Sequence, residues 1–227
     1  MKIIAKIYTE FDEKFGIPRQ SGLVKETVGR IVFEPEYRNA EALRGIDGYS
    51  HLWLIWQFSE AVREEWSPTV RPPRLGGNKR MGVFATRSPY RPNPIGLSSV
   101  RLIEVKQTAN EGAVLIVGGA DLLSGTPIYD IKPYLAFTDS HPDAVGGFAD
   151  DVVDYKIEVI LEPAVARKLS EAQAQKLSAI LEQDPRPSYK ADDERSYGMK
   201  FEGKEVTFKY EEGKLLVTNI VKVKKDN

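Results

Sequence analysis

Short segments in which apolar residues alternate with polar ones, or run without interruption, recur through the first two thirds of the chain. Glycine, proline and aspartate separate these segments, which cover residues 3–8, 28–33, 51–58, 83–86, 97–105, 113–117 and 152–161. Such patterns predict β-strands, because successive side chains of a strand point to opposite faces. Many short strands with no long helical pattern among them favour a closed or nearly closed barrel. The predicted fold class is therefore mainly β, a small antiparallel β-barrel.

A helical pattern replaces this alternation after Glu162. Residues 164–183 are rich in good helix formers, and Pro163 stands where a helix commonly begins. Further strands are then predicted over 197–201, 205–210 and 215–223. We therefore predict two domains, a β-barrel over 1–160 and a small α+β domain over 161–227.

The composition is that of an ordinary globular protein, since 41% of the 227 residues are hydrophobic and 29% are charged. The absence of cysteine excludes disulfides, thiolate metal sites and a cysteine nucleophile. The two histidines, His51 and His141, lack the spacing of a catalytic metal site, so we expect no metal. No apolar run is long enough to cross a bilayer, and the N-terminus lacks the apolar core of a signal peptide. We therefore expect a cytoplasmic protein with no membrane partner.

The distribution of charge says more than the net charge of −1, which by itself indicates no general affinity for nucleic acid. Residues 66–103 contain no Asp or Glu but carry seven Lys and Arg side chains. The part from 71 to 98 (RPPRLGGNKRMGVFATRSPYRPNPIGLS) is also rich in proline and glycine, which excludes a regular helix. A stiff loop with arginines and accessible backbone N–H groups suits an anionic ligand. The alternative is a surface loop that is basic for solubility.

A second group of candidate residues lies in the segment 120–135 (ADLLSGTPIYDIKPYL), which begins with Asp121 and a predicted turn. Asp130, Lys132 and Tyr134 follow at alternate positions, so an extended chain would place them on one face. An acid, an amine and a phenol on one face could serve proton transfer. The alternative is an ion pair on the rim of the barrel.

A third group, Pro18 to Gln20, is by itself only a turn with a polar tip. The chain also lacks the glycine-rich phosphate loops and the GxSxG motif of common nucleotide-binding and hydrolase folds. A nucleotide-like cofactor would therefore be bound without a doubly wound sheet.

These segments together resemble the TsaA-like (YaeB) family, which is called TrmO in bacteria. The resemblance runs in chain order through PRQSGL at 18–23, DGYSHLWLIWQF at 47–58, the block at 71–98 and the segment 120–135. The VFATRSPxRPNPIG pattern within the block at 71–98 is highly specific. LEQDPRPSY at 181–189 extends the resemblance into the second domain, which favours the tRNA methyltransferase branch.

The resemblance implies a small β-barrel that binds S-adenosyl-L-methionine and acts as a homodimer. It implies N6-methylation of threonylcarbamoyladenosine next to the anticodon of tRNA. Three alternatives stay open: a methyltransferase with a different substrate, a non-catalytic module that senses S-adenosyl-L-methionine, and a plain nucleic-acid-binding barrel. Product formation would separate an enzyme from a sensor, and calorimetry with the cofactor would separate a sensor from an empty scaffold.

The cofactor contacts of the family fall on Pro18, Arg19, Gln20, Ser59, Glu60, Arg87, Leu97, Asp121, Leu122, Leu123, Ser124, Gly125 and Thr126. The chain departs from the family at three of these positions. The family often has His-Gln where this chain has Ser59 and Glu60, and it usually has Asp at the position of Ser124.

The implied chemistry gives the remaining candidates their roles. Asp130 is expected to accept the proton of the acceptor nitrogen, while Lys132 and Tyr134 orient the base or ribose. The residues expected to contact tRNA phosphates are Arg74, Lys79, Arg80 and Arg91. The second domain could clamp the anticodon stem through Arg186, Lys190 and Arg195.

Overall fold

The structure is a computed structural model that describes residues 1–62, 65–75, 79–186 and 195–223, without the side chain of Arg74. In chain order, its strands are β1 (Ala5–Thr9), β2 (Val28–Phe33), β3 (His51–Gln57), β4 (Thr69–Val70), β5 (Met81–Gly82), β6 (Ile95–Thr108), β7 (Gly112–Gly118), β8 (Thr126–Pro133), β9 (Glu158–Leu161), β10 (Ser196–Phe201), β11 (Lys204–Glu211) and β12 (Lys214–Lys222). The α-helices are α1 (Ala136–Asp139), α2 (Pro163–Ala166) and α3 (Glu171–Leu181).

A closed barrel of six strands, in the order β1-β2-β7-β6-β3-β8, forms the first part of the molecule. Every neighbouring pair is antiparallel, so the predicted fold class is confirmed. The alternation in β3 (HLWLIWQ) turns Leu52, Leu54 and Trp56 into the barrel interior, where they are buried. Gly96 lies against Trp56, because a Cβ at position 96 would stand 2.2 Å from the indole ring.

Three loops meet at one end of the barrel, which we call the mouth. Antiparallel strands alternate in direction, so β1, β3 and β7 all end where β2, β6 and β8 begin. The loops that meet there are 10–27, 58–94 and 119–125. They contain the three segments that the sequence singled out, and the barrel topology is what brings them together.

The loop 58–94 departs from the prediction at residues 83–86, which form no strand. Val83–Ala85 is a 3-10 turn, and the short strand is Met81–Gly82 just before it, paired with Thr69–Val70. Val83 is buried and its backbone N–H donates to the carbonyl of Pro68 at 2.9 Å. Thr86 closes the turn, since both its backbone N–H and its hydroxyl donate to the Val83 carbonyl.

The second part of the molecule is a four-stranded sheet in the order β10-β11-β12-β9, covered by α3. Its strand β9 covers only 158–161 of the segment predicted over 152–161, and it pairs with β12 rather than with the barrel. The helix predicted over 164–183 is two helices, because Ser170 starts α3 with a capping box to Gln173.

The loop 10–27 is built into the core of this second sheet. Phe11 and Val24 are buried there beside Leu177 and Phe208, although they belong to the connection between two barrel strands. Phe15 stacks on Phe208 with ring centroids 6.2 Å apart. The apolar residues of the loop therefore fix its polar tip at the mouth.

Across the described ranges, no helix has the length and apolar character needed to cross a membrane.

Candidate functional site

Side chains from the three loops and from the start of β6 form two hydrogen-bonded pairs at the mouth, which we call together the mouth site: Gln20 with Arg87, and Ser98 with Asp121. The guanidinium of Arg87 donates to Oε1 of Gln20. The hydroxyl of Ser98 donates to Oδ1 of Asp121 at 2.7 Å and accepts from Nε1 of Trp56 at 3.0 Å. A carboxylate, a guanidinium, an amide and a hydroxyl thus lie close together in fixed orientations.

Asp121 is the electrostatic centre of the mouth site. Burial raises the pKa of its carboxyl, and the hydrogen bonds from Ser98 and the backbone N–H of Ser21 only partly offset this rise. The positive charge of Arg87 acts in the same direction as these hydrogen bonds. A buried anion beside a guanidinium is suited to a ligand that carries charges of both signs.

The turn from Asp121 to Thr126 is held against β1 through its backbone. The N–H groups of Ser124 and Gly125 donate to the carbonyls of Phe11 and Ile7, both at 2.8 Å. Gly125 has a φ of 84°, a conformation that glycine adopts without strain. Within the turn, Leu122 is buried, and the carbonyl of Leu123 accepts from the hydroxyl of Thr126 at 2.6 Å. Asp121 is therefore the member of the turn with a polar side chain in the mouth site.

Two residues of the turn Pro18 to Gln20 contact different parts of the molecule. Gln20 joins the mouth site, whereas Nη2 of Arg19 donates to the backbone carbonyl of Asp184 at 3.0 Å, in the second part of the molecule. The carboxylate of Asp184 in turn accepts two hydrogen bonds from Arg186, at 2.8 and 3.0 Å. A cleft of about 280 Å³ lies at this junction, lined in part by Lys14, Arg19 and Arg186.

Three other predicted cofactor residues lie at the edge of the mouth. Ser59 and Glu60 begin the 3-10 turn Ser59–Ala61, where Glu60 pairs with Lys14 at 3.5 Å. Leu97 is on the outer face of β6 and is 57% exposed.

Asp130, Lys132 and Tyr134 share the outer face of the barrel, so the geometric prediction for this segment is confirmed. Nζ of Lys132 lies 3.0 Å from Oδ2 of Asp130, and the ring of Tyr134 lies 5.5 Å from that of Trp53. β8 runs away from the mouth, and eight residues of strand separate Tyr134 from Thr126, a span of about 26 Å. The mouth site and Tyr134 therefore lie near opposite ends of the barrel.

The predicted phosphate contacts lie in the loop 58–94. Lys79 and Arg80 are exposed beside β5, and Arg80 donates to the hydroxyl of Thr69 at 3.3 Å. Arg91 braces the loop, since Nη1 donates to the carbonyls of Thr86 and Ser88 at 3.0 and 3.3 Å. Arg74 belongs to the 3-10 turn Pro73–Leu75, and its side chain is outside the description.

Of the cations expected to clamp the anticodon stem, two have described surroundings. Arg186 stacks on the ring of Tyr210 at 3.8 Å, and Arg195 lies 5.5 Å from the ring centre of Tyr197. Lys190 lies outside the described residues.

Sequence reasoning missed Ser98, which links Trp56 to Asp121. The available signal was a hydroxyl residue at an inward position of an apolar strand, between Gly96 and Val100.

Among the residues described, no group of three or more His, Cys, Asp or Glu could hold a metal ion.

Comparison with known proteins covers most of the chain. The family model described as the tRNA-methyltransferase O N-terminal domain matches residues 6–140, and the one described as the TrmO C-terminal domain matches residues 154–223. The tRNA (adenine(37)-N6)-methyltransferase of Escherichia coli is 43% identical over 197 residues, which are 84% of this chain and 83% of that protein. The "Putative S-adenosylmethionine-dependent methyltransferase RcsF" of Pseudomonas aeruginosa is 39% identical, over 91% of this chain and 90% of that protein.

Solved structures agree with the sequence comparison. A crystal structure of TrmO from Pseudomonas aeruginosa superposes with a TM-score of 0.74 and 32% identity, and the match covers 96% of this chain and 97% of that one. The resemblance that the motifs predicted is thus confirmed by family models and by a solved structure. The chain belongs to the TrmO family of tRNA methyltransferases.

Proposed function

We propose that the protein transfers the methyl group of S-adenosyl-L-methionine to N6 of threonylcarbamoyladenosine next to the anticodon of tRNA. The observation that carries this proposal is the mouth site, where three loops bring a half-buried carboxylate and a guanidinium together. The relative from Escherichia coli, 43% identical to this chain, is named tRNA (adenine(37)-N6)-methyltransferase, which supports methylation at N6 of a tRNA adenine. We expect it to take place in the cytoplasm.

The donor groups of the mouth site fit this cofactor. The molecule carries a carboxylate, an ammonium, a sulfonium and two ribose hydroxyls. Arg87 suits the carboxylate as a bidentate donor, and Asp121 suits the ammonium or the hydroxyls as an acceptor. Gln20 and Ser98 hold these two groups in place. When bound, the cofactor supplies an activated methyl group, so the work left to the protein is positioning.

Residues outside the mouth site bind the adenosine that accepts the methyl group and receive its N6 proton. Asp130 takes the proton from N6, and Lys132, at 3.0 Å, orients the carboxylate that receives it. Asp130 lies four residues beyond Thr126, about 13 Å along β8 from the mouth. For N6 to reach both the methyl group and Asp130, the methyl end of the cofactor extends from the mouth along the outer surface of β8, and the ribose or base of the adenosine points toward Tyr134. Lys79 and Arg80 bind tRNA phosphates from the exposed side of β5.

The protein acts as a homodimer through the outer face of β3 and β6, next to the part of β8 that receives the adenosine. This face exposes Ile95, Leu97 and, beyond β8, Phe137, and a surface of this kind is typical of an interface. Replacing Leu97 by glutamate is expected to halve the mass seen by sedimentation velocity of the cofactor-free protein, because the charge cannot be buried. Val221→Glu, on exposed β12, is the matched control. A Leu97→Glu protein that sediments like the wild type would argue against this interface.

Mass spectrometry of tRNA nucleosides tests the reaction. Incubation with protein and S-adenosyl-L-methionine is expected to convert threonylcarbamoyladenosine to a product one methyl group heavier, and to leave tRNA that lacks the threonylcarbamoyl group unchanged. Methylation of both tRNAs, or of neither, would contradict the proposed substrate. Calorimetric binding of the cofactor without any product would indicate a sensor instead of an enzyme.

A further inference from the structure

Two large aromatic side chains stack on each other at the surface of the loop 58–94. The ring centroids of Trp66 and Phe84 are 5.9 Å apart, and the rings are inclined by 29°. Trp66 is 51% exposed and Phe84 is 72% exposed. Water-exposed aromatic area of this size is unfavourable in an isolated protein and typically marks a binding surface.

Backbone hydrogen bonds fix the segments that carry Trp66 and Phe84. Val83 is buried, and its hydrogen bond to the carbonyl of Pro68 ties the chain after Trp66 to the chain before Phe84. The strands β4 and β5 continue this pairing through Thr69 with Gly82 and Val70 with Met81. Because the 3-10 turn Val83–Ala85 buries its first residue, it directs the next one, Phe84, outward.

The surrounding charge selects the kind of partner. Residues 66–103 contain no Asp or Glu, and Arg71, Lys79 and Arg80 are exposed where β4 ends and β5 begins, about 10 Å along the small sheet from the rings. Aromatic faces combined with cations bind unpaired nucleotides, whose bases stack while their phosphates pair with the cations. A base inside a duplex offers no free face, so the geometry favours a single-stranded loop of RNA.

The pair is also close to the mouth site. Phe84 precedes Arg87 by three residues, so their Cα atoms are separated by at most about 11 Å. A nucleotide stacked on Phe84 would therefore belong to the same RNA loop as a nucleotide presented at the mouth.

We propose that Trp66 and Phe84 form a stacking site for one unpaired base of the tRNA loop that presents the methyl acceptor. This inference rests on the proposed function only in taking tRNA as the partner. The stacked base contributes affinity and register, while the cations of the small sheet contribute the salt-dependent part of binding.

The first test compares the affinity of the Trp66→Leu/Phe84→Leu variant and the wild type for an anticodon stem-loop RNA, by fluorescence anisotropy at several salt concentrations. The expected result is at least tenfold weaker binding at every salt concentration with an unchanged salt dependence, because no phosphate contact is lost. Lys79→Gln/Arg80→Gln is expected to give a shallower salt dependence instead. Tyr8→Leu, an exposed aromatic on β1, is the matched control and should bind like the wild type.

The second test removes the bases of the RNA loop one at a time. When the base at the stacked position is removed, the wild type is expected to bind the abasic RNA as weakly as the variant binds intact RNA. The variant is expected to bind the abasic and the intact RNA with the same affinity. Additive losses at every position would overturn the inference, as would an unchanged affinity of the variant. Equal melting temperatures of variant and wild type exclude unfolding as the cause of weaker binding.

Methyl transfer at saturating tRNA separates the two proposals. If the wild type methylates tRNA and the Trp66→Leu/Phe84→Leu variant binds RNA as tightly as the wild type, the stacking site is wrong and the proposed function is still supported. If the wild type methylates no tRNA but the variant binds RNA more weakly than the wild type, the proposed function is wrong and the stacking site is still supported. A variant that changes the sedimenting mass with unchanged RNA affinity would show that a second copy of the chain covers the rings, which also overturns the inference.

Discussion

Replacing Asp130 by asparagine is expected to slow single-turnover methyl transfer by about 10²- to 10⁴-fold, the usual contribution of a general base. Asparagine keeps the size of the side chain, and its oxygen can still accept from the backbone N–H of Ile131, as Oδ1 of Asp130 does at 2.9 Å. The amide cannot accept the proton of N6 and loses the ion pair with Lys132. The change therefore removes proton transfer while the strand stays intact.

A second carboxylate, in the helix α1 that follows the same strand, provides the control. Asp139 accepts from the backbone N–H of Leu135 and from Nε1 of Trp53, and these two bonds hold the pKa of its carboxyl below its usual range. Because its Oδ2 already accepts both of these bonds and its carboxyl is a weak proton acceptor, Asp139→Asn is expected to keep the rate of methyl transfer. Cofactor affinity, measured by calorimetry, should be unchanged in both variants. A wild-type rate in Asp130→Asn would leave Asp130 and Lys132 as a surface ion pair.

The barrel could be predicted from sequence because the period of two is directly imposed by burial of one face of each strand. The mispredicted elements are those decided by contacts with distant residues. The apolar residues at 83–86 have the composition of a strand, yet the bond from Val83 to Pro68 fixes a turn there. Helix formers fill 164–183, and only the capping box at Ser170 sets the point at which the helix is interrupted.

The candidate site could be predicted in its parts but not as a whole. Local spacing suggested that Asp130 and Lys132 share a face, and they do. Nothing local indicates that Gln20 meets Arg87, or that the guanidinium of Arg19 turns to Asp184, because these contacts follow from the closure of the barrel and from its union with the second domain. For the same reason the link through Ser98 was missed, since its meaning depends on what lies across the barrel interior.

Replacing Asp121 by asparagine is expected to weaken cofactor binding by about 10- to 100-fold, as befits the loss of a charged hydrogen-bond acceptor. The amide oxygen can still accept from the hydroxyl of Ser98, so the mouth keeps its shape. Calorimetric titration with S-adenosyl-L-methionine measures the effect. Glu111→Gln, at the opposite end of the barrel, is the control and should bind the cofactor normally.

The same substitution is expected to stabilise the cofactor-free protein, in opposition to its effect on binding. Because burial raises the pKa of Asp121 in the folded state, the wild type loses stability as the pH rises from the ordinary range of an aspartate through this raised value. Asparagine does not ionise, so the melting temperature of the variant should exceed that of the wild type at pH 8, and the difference should shrink toward acid pH. A variant that is less stable at pH 8, or a difference that grows toward acid pH, would mean that Arg87 and Ser98 more than offset the burial of the carboxylate. The mouth would then favour an ionised Asp121 even without a ligand, and cofactor binding would not be needed to explain why a carboxylate is buried there.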